Sequence, residues 1–210
     1  ACNRGNFDEP IQVRELERHA ADLGIRPMTT APWRSQRIAI IGSGPAGLAS
    51  AQQLARAGHS VTVFERADRI GGLLQYGIPD FKLELRVIDR RLQQLREEGV
   101  QFRAGVDVGK DITGQELLDQ YHAVCVCVGS RVPRDLPVPG RQLDGVHFAM
   151  DFLTQQNRRD AGDVLDPALD ILATGKRVIV IGGVDTGSVC IGTSNRHGAL
   201  SVYNLELMPR

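Results

Sequence analysis

Hydrophobic residues recur along the chain at two spacings, and each spacing predicts a different kind of element. Short continuous apolar runs, typical of strands buried on both faces of a sheet, occur at 38–41, 61–64, 123–128 and 178–181. Apolar residues at every third or fourth position, typical of amphipathic helices, occur at 11–23, 48–55, 85–95 and 148–156. Because strands and helices alternate, the pattern predicts an α/β fold with Rossmann-like parallel sheets.

Two glycine-rich turns, 140 residues apart, each follow an apolar strand. The first reads Gly-Ser-Gly-Pro-Ala-Gly at 42–47 and the second Gly-Gly-Val-Asp-Thr-Gly at 182–187. In such a turn the glycines permit a tight bend, close approach of the backbone to a pyrophosphate, and packing of the next helix, whose free amides face the anion. Each turn is a candidate dinucleotide site, with predicted binding residues Gly42, Gly44, Pro45, Ala46 and Gly47 in the first and Gly182, Gly183, Asp185, Thr186 and Gly187 in the second.

An acidic residue stands where each unit would need one to bind a ribose. Glu65 lies 18 residues after Gly47, at the end of the second strand. A carboxylate there accepts hydrogen bonds from ribose hydroxyls and repels a ribose phosphate. Glu206 lies close to the corresponding position of the second unit; if aimed at the ribose it favours NADH over NADPH, and a solvated surface charge explains it equally well.

Residues 70–79, called the wall segment below, are too rich in glycine for a regular element and too apolar for an ordinary exposed loop. The double glycine at 71–72 permits a close approach of the backbone. The segment is predicted to form the wall beside a flat flavin ring, with Gly72 and Leu73 near it. A packed connection without a ligand is the alternative interpretation.

Composition excludes several classes of function. The 25 basic residues equal the 25 acidic ones, so no overall positive field favours nucleic acid or an acidic membrane surface. No apolar run approaches the roughly 20 residues that cross a bilayer. Four cysteines without a disulfide-like spacing suit a reducing compartment, and we expect the cytoplasm.

The pattern divides the chain into three parts. Residues 1–36 are expected to be a helical segment and linker, 37–160 an FAD-binding domain, and 175–210 the first half of an inserted NAD(P)H-binding domain. The start at Ala1 has neither an initiating methionine nor a signal-peptide pattern, so we expect the sequence to begin inside a longer polypeptide.

Four runs of sequence closely resemble the family of small, pyridine-nucleotide-oxidising subunits of glutamate synthase: 42–47, 71–83, 133–141 and 192–198. The resemblance covers nearly the whole chain and extends to related electron-input domains, including that of dihydropyrimidine dehydrogenase. It implies that NAD(P)H reduces FAD, and that electrons pass through iron-sulfur clusters to a large subunit or domain that makes glutamate from glutamine and 2-oxoglutarate.

The resemblance also implies roles for single residues. Gly129 resembles the glycine that ends a strand returning to the FAD site. Cys2 resembles the last cysteine of an N-terminal iron-sulfur motif, but about four thiolates hold a cluster, so only a full-length protein would contain one. Cys125 and Cys127 point to the same face of a strand and are interpreted as packing residues. No catalytic side chain is predicted, because hydride transfer is cofactor chemistry.

Val184 and Val189 depart from the family pattern. Val184 replaces the second glycine of its turn, where its methyl groups would project toward a pyrophosphate, and Val189 replaces an acid. The sequence allows three explanations: lost or altered binding, a changed or misread pair of positions, or a local backbone shift that accommodates valine.

Taken together, the two glycine turns and the family resemblance make an electron-input enzyme the main hypothesis. The alternatives are a non-catalytic dinucleotide-binding or interaction module and a dihydropyrimidine dehydrogenase-like electron-input domain.

Overall fold

The computed structural model describes residues 12–24, 36–130 and 132–206. In the first half of the described chain the elements are α1 (Val13–Gly24), β1 (Arg37–Ile41), α2 (Pro45–Arg56), β2 (Ser60–Glu65), α3 (Leu73–Tyr76), α4 (Leu85–Glu97) and β3 (Gln101–Ala104). They continue with α5 (Gly114–Gln120), β4 (Ala123–Val126), α6 (Ala149–Asp160), a 3-10 turn (Pro167–Leu169), β5 (Arg177–Ile181), α7 (Val184–Arg196) and β6 (Ser201–Leu205). The predicted α/β class is confirmed.

The larger sheet has the strand order β3-β2-β1-β4, and all of its pairs are parallel. On the central strand, Ile40 lies opposite Val63 on one side and Cys125 on the other. Because the strands run in one direction, the residues that follow β1, β2 and β4 meet at one edge of the sheet, which is where α/β folds bind ligands.

Apolar side chains cover both faces of this sheet. On one face, α2 and α4 contribute Leu48, Leu92 and Leu95 to a core that includes Ile40 and Val63. On the other face, Ala39, Phe64 and Leu117 form a second core under α5. The loop between β1 and α2 is therefore held by a strand and a helix that are both packed on the same core.

Helix ends agree with the local sequence signals. Thr113 caps α5 with a full capping box, since it accepts from the amide of Glu116 while the Glu116 carboxylate accepts from the Thr113 amide. Glycine with positive φ follows α2 at Gly58 and α4 at Gly99, as αL caps require. Helix α2 is also tied to α4 by an ion pair between Arg56 and Glu98, whose carboxylate is buried.

Two expectations from the sequence were wrong in detail, and one strand was not predicted. Strand β3 was not predicted, because its short and mostly exposed run carries no clear apolar period. The wall segment contains a regular element, the single helical turn α3. The run at 123–128 predicted a buried strand, yet β4 ends at Val126, which is exposed, because β4 lies at the edge of the four-stranded sheet.

A second, smaller sheet follows, in which β5 and β6 pair in parallel and α7 connects them. Helix α7 packs on α6 through a cluster of Leu153, Val189 and Cys190. At the end of α7, His197 Nδ1 accepts from the amide of Ala173 and its Nε2 lies 2.7 Å from Gln156 Oε1. Helix α6 therefore connects the second unit to the first.

None of the described helices is both long and apolar enough to pass through a bilayer.

We expect the α6–α7 contact to weaken in acid. Burial and the nearby Arg159 lower the pKa of His197, and a neutral ring fits its two hydrogen bonds. The stabilisation is complete above the ordinary histidine pKa of about 6.5 and is lost as the pH falls below it, because the unfolded chain then binds the proton more readily. His197→Gln should cost about 1 kcal/mol of unfolding free energy at neutral pH, the value of one hydrogen bond, and progressively less in acid.

Urea denaturation at a series of pH values measures this difference. His19→Gln, on the exposed helix α1, controls for the loss of one imidazole. A difference between the unchanged protein and His197→Gln that stays constant across the series would contradict the prediction.

Candidate functional site

The first glycine turn lies at the carboxyl edge of the larger sheet. The Gly42 amide donates to the carbonyl of Phe64 at 2.8 Å, and its φ of +100° is one that L side chains rarely adopt. A Cβ on Gly42 would overlap the carbonyl oxygen of Cys127, and one on Gly47 would overlap the carbonyl of Gly42. Glycine at 42 and 47 therefore allows strand, turn and helix to pack directly against each other.

Gly44 differs from these two glycines because there is open space where its side chain would be. Its φ of −67° suits any residue, and a Cβ built there meets no described atom within 4 Å. Pro45 is the first residue of α2, and no side chain caps this helix start. Pro45 and Ala46 are exposed. The start of α2 thus presents backbone to an open cradle, which a larger side chain at position 44 would fill.

Ser43 connects this turn to Glu65. Both the amide and the hydroxyl of Ser43 donate to Glu65 Oε2, at 3.0 Å and 2.6 Å, and the amide of Ala67 donates to Oε1 at 2.9 Å. The Glu65 side chain lies at the turn and is 8% exposed. A carboxylate has about four acceptor positions, so about one stays available to a sugar hydroxyl.

The wall segment packs against the same turn. The Gly71 amide donates to Ser43 Oγ at 2.9 Å, and a Cβ on Gly72 would lie 2.9 Å from Gly44 Cα. Gly72 has positive φ, and Leu73, which begins α3, is exposed. The structure therefore brings together Gly44, Glu65, Gly72 and Leu73 at one end of the sheet. Sequence reasoning missed Ser43, although a hydroxyl residue between two glycines in a turn was a signal for such a contact.

Gly129 lies just beyond this group. It is exposed, has a φ of +66°, and follows β4 two residues after Cys127, whose carbonyl abuts Gly42. Gly129 is thus placed at the same sheet edge, with open space where a side chain would be.

Charged and phenolic groups fix the start of the wall segment. The Tyr76 hydroxyl donates to Asp68; burial, with that hydrogen bond, raises the pKa of Tyr76, and the same bond lowers the pKa of Asp68. The Arg69 guanidinium donates to Asp163, as does that of Arg158, and these bonds lower the pKa of Asp163. Residues 68–76 are therefore held to each other and to the end of α6.

The second glycine turn repeats the packing of the first at its two outer glycines, but its backbone differs at the middle position, where Gly44 has a φ of −67° and Val184 one of +59°. The Gly182 amide donates to the carbonyl of Leu205 at 2.9 Å, its φ is +105°, and a Cβ on Gly187 would lie 2.8 Å from the Gly182 carbonyl oxygen. Asp185 and Thr186 are exposed on the first turn of α7. The turn is thus built as a strand-turn-helix unit of the same kind as 42–47.

Glu206 lies against this second turn. A Cβ on Gly183 would overlap the Glu206 carboxyl group, and Glu206 Oε1 accepts from Asn204 Nδ2 at 2.5 Å. Glu206 therefore lies beside Gly183 as Glu65 lies beside Ser43. In both units the acid is found at the end of the strand that follows the helix.

Val184 occupies a strained position. Among the described residues it is the only non-glycine with positive φ, at +59°, and it is 86% exposed at the start of α7. A left-handed conformation costs a β-branched residue about 1–2 kcal/mol. The backbone at Val184 thus differs from that at the equivalent Gly44, whose φ is −67°, and the valine there is strained. Val189 causes no such strain, because it packs with Leu153 and Cys190.

The cysteines form no metal site in the part of the chain that the structure describes. Cys2 lies outside the described residues. Cys125 and Cys127 are free and partly buried, with their Sγ atoms 3.6 Å apart, and they pack against the core under α2. No described group of three or more histidine, cysteine or acidic residues could hold a metal ion.

Comparisons with known proteins agree with this geometry. The pyridine nucleotide-disulphide oxidoreductase family matches residues 36–210. The chain is 50% identical over 218 residues to the glutamate synthase (NADPH) small chain of Mycobacterium tuberculosis (strain CDC 1551 / Oshkosh), covering 100% of this chain and 45% of the relative. It is also 50% identical over 216 residues to the glutamate synthase (NADH) of Schizosaccharomyces pombe (strain 972 / ATCC 24843), covering 100% of this chain and 10% of the relative.

The chain thus spans less than half the length of these curated relatives. Among solved structures, Mycobacterium tuberculosis FprA in complex with NADPH aligns with a TM-score of 0.66 and 23% identity, over 81% of this chain and 43% of that chain. At that identity the likeness shows a shared fold.

Ser43→Ala should weaken both folding and the first site. The substitution leaves the Gly71 amide without its acceptor and removes one of the three donors to Glu65. A buried group left unpaired typically costs about 1–3 kcal/mol. Denaturant unfolding measures the loss, and FAD titration measures the affinity. Ser60→Ala, at the opposite end of β2, is the matched control. Equal unfolding free energies for Ser43→Ala and the unchanged protein would show that the hydroxyl does not contribute to stability.

Val184→Gly should stabilise the chain by up to about 1–2 kcal/mol, because glycine adopts positive φ without strain. It should also strengthen nicotinamide binding in the full-length protein, because it removes two methyl groups from the mouth of the turn. Unfolding curves and titration with NADH and NADPH test the two effects. Val164→Gly, at a fully exposed valine without positive φ, should not stabilise the chain. An unchanged nicotinamide dissociation constant would reject the steric explanation.

Proposed function

The chain belongs to the pyridine nucleotide-disulphide oxidoreductase family, and from this we propose that it binds FAD at the first glycine turn and a nicotinamide dinucleotide at the second, as an NAD(P)H-dependent flavin oxidoreductase module. The observation that carries the proposal is the open cradle at Gly44, bounded by Ser43, Glu65 and Gly72.

The residues of the first site fit the adenosine diphosphate end of FAD. The amides at the start of α2 would bind the diphosphate, favoured by the helix dipole. Glu65 would accept a hydrogen bond from the adenosine ribose. Gly44 keeps the cradle free, since any Cβ there would point into it. A diphosphate could therefore lie directly against the backbone of Gly44.

The wall segment would orient the ring and exclude water from one side of it. Gly72 lies on Gly44, so the segment begins beside the diphosphate site, and exposed Leu73 offers an apolar contact for a flat ring. When bound, FAD would accept the electron pair that a reduced nicotinamide donates. The protein's contribution is position, so no acid or base side chain is assigned.

The second site fits less well. Gly182 and Gly187 keep the turn and helix packing, and Glu206 stands near the ribose position, where it would favour NADH over NADPH. Val184, however, projects an exposed side chain at the mouth of the turn. We therefore propose weakened or altered nicotinamide binding by this chain.

At the level of the whole protein, we propose an electron-input role in glutamate synthase, supported by relatives named as glutamate synthase small chains. Iron-sulfur clusters would carry electrons to a large subunit or domain that forms glutamate, and Cys2 would be one cluster ligand. The three described cysteines are free thiols, which supports a reducing compartment, the cytoplasm.

One observation favours a second candidate function. Because Val184 strains and crowds only the second turn, the chain could serve as a dinucleotide-binding or interaction module that uses the first site without catalysis. Anaerobic addition of NADH or NADPH to the FAD-loaded full-length protein separates the two: bleaching of the yellow colour supports the enzyme, and persistent colour supports the module.

Gly44→Val should strongly weaken FAD binding while leaving the fold intact. A Cβ at position 44 meets no described atom within 4 Å and the position needs no unusual φ, so we expect valine to fill the cradle without disturbing the packing. We expect weak FAD binding by the unchanged chain and at least a tenfold loss in the variant, equivalent to about 1.4 kcal/mol. Quenching of FAD fluorescence gives the affinity, and circular dichroism checks the fold.

Gly114→Val is the matched control, because Gly114 also has open space around it and lies at the start of α5, away from the site. Equal FAD affinity in the Gly44 and Gly114 variants would refute the proposed first site.

A further inference from the structure

We propose that Asn157 is a positioning residue for the wall segment: its side-chain amide binds the carbonyl end of α3 and thereby fixes the segment relative to the second unit. The inference rests on the proposed function, in which the wall segment faces a flavin ring.

Asn157 lies in α6 and is 2% exposed. Its Nδ2 donates two hydrogen bonds, to the carbonyl of Gln75 at 3.1 Å and to the carbonyl of Ile78 at 2.8 Å. Those carbonyls belong to α3 and to the residue beyond its C-cap, where a helix leaves carbonyls without intrahelical partners. Both amide hydrogens of Asn157 therefore serve the wall segment.

The orientation of this amide is determined by its surroundings. Exchanging its oxygen and nitrogen would place Oδ1 against two carbonyl oxygens, which repel it, and would remove both hydrogen bonds. As placed, Oδ1 is buried without a hydrogen-bond partner in the described parts of the chain. An unpaired buried acceptor lowers the stability of the fold. The benefit of asparagine at this position therefore lies in the two hydrogen bonds that its Nδ2 donates to the wall segment.

The two ends of the wall segment are held by different parts of the molecule. Its beginning is attached to the first glycine turn, through the bond from the Gly71 amide to Ser43 and the contact of Gly72 with Gly44. Its later half is attached to α6 through Asn157. The Tyr76 hydroxyl also donates to Asp68, so removal of the Asn157 amide should loosen residues 75–79 without detaching them, and should leave 71–72 in place.

Helix α6 carries this attachment on to α7. Leu153 packs on Val189 and Cys190, and Gln156 binds His197 at the end of α7. Helix α7 begins at the second glycine turn. Asn157 thus sets the wall of the first site relative to the helix of the second, and hydride transfer requires the two reacting rings to be held at a defined separation.

Asn157→Asp provides the sharpest test, because it keeps the shape of the side chain but replaces the donor with an acceptor. Hydrogen exchange in the chain without cofactor reports on the Tyr76, Gly77 and Ile78 amides, which bond to carbonyls within the wall segment. We expect these amides to exchange about tenfold faster or more, the effect of one net hydrogen bond, with Ala39 and Val63 in the core unchanged. Asn157→Ala should increase exchange no more than Asn157→Asp.

The opposite order would overturn the proposal. If Asn157 only fills space, the isosteric aspartate keeps protection at 76–78 and only alanine loses it. If the aspartate variant does not fold, Asn157→Leu, which has a similar size and no donor, replaces it; protection at 76–78 equal to that of the unchanged chain would then contradict the donor role.

Gln155→Ala is the matched control, because Gln155 also makes two side-chain bonds to backbone groups, the carbonyl of Leu169 and the amide of Ile171, on the same helix. It should not change exchange at 76–78.

In the FAD-loaded full-length protein, Asn157→Asp should slow flavin reduction by NAD(P)H at saturating nucleotide at least threefold, and an unchanged rate would overturn the positioning role. If the unchanged protein binds no FAD, the proposed function fails, while the exchange experiment still decides whether Asn157 places the segment.

Discussion

The first site depends on one buried hydroxyl group. Ser43 accepts a hydrogen bond from the Gly71 amide and donates one to Glu65, so that the glycine turn, the acid and the wall segment share one chain of hydrogen bonds. In a buried position each of these bonds is strengthened by its neighbours, and any group left unpaired carries the full desolvation cost. The proposed site therefore depends on all three segments being in place.

The two glycine turns show what that hydroxyl adds. Both have the same strand-turn-helix packing, in which a glycine carbonyl lies under the next helix. At the position of Ser43, however, the second turn has Gly183, and Glu206 lies directly against its backbone. The first turn is thus held by side-chain hydrogen bonds as well as by backbone bonds and packing, whereas the described bonds of the second turn at Gly182 and Gly187 are backbone bonds. A turn without such side-chain bonds tolerates more variation, which agrees with the presence of a strained valine there.

The two departures from the family pattern differ in physical consequence. Val189, where the family resemblance implies an acid, places an apolar side chain inside the contact between α6 and α7, and burial of apolar surface there stabilises the packing. Val184 gains no such burial, because it is exposed in a left-handed conformation. Val189 therefore adds to the stability of the fold, whereas Val184 lowers it.

Local spacing along the chain determined the α/β class, both glycine turns and the capped helices, because each of these depends on residues within a few positions of one another. The tertiary structure alone decided that β4 lies at an exposed edge, that Ser43 joins the turn to a segment 28 residues away, and that Asn157 binds a carbonyl 82 residues before it. Hydrogen bonds across such separations leave no periodic pattern in a sequence. They arise when the packed strands and helices bring distant groups to the same edge of the sheet.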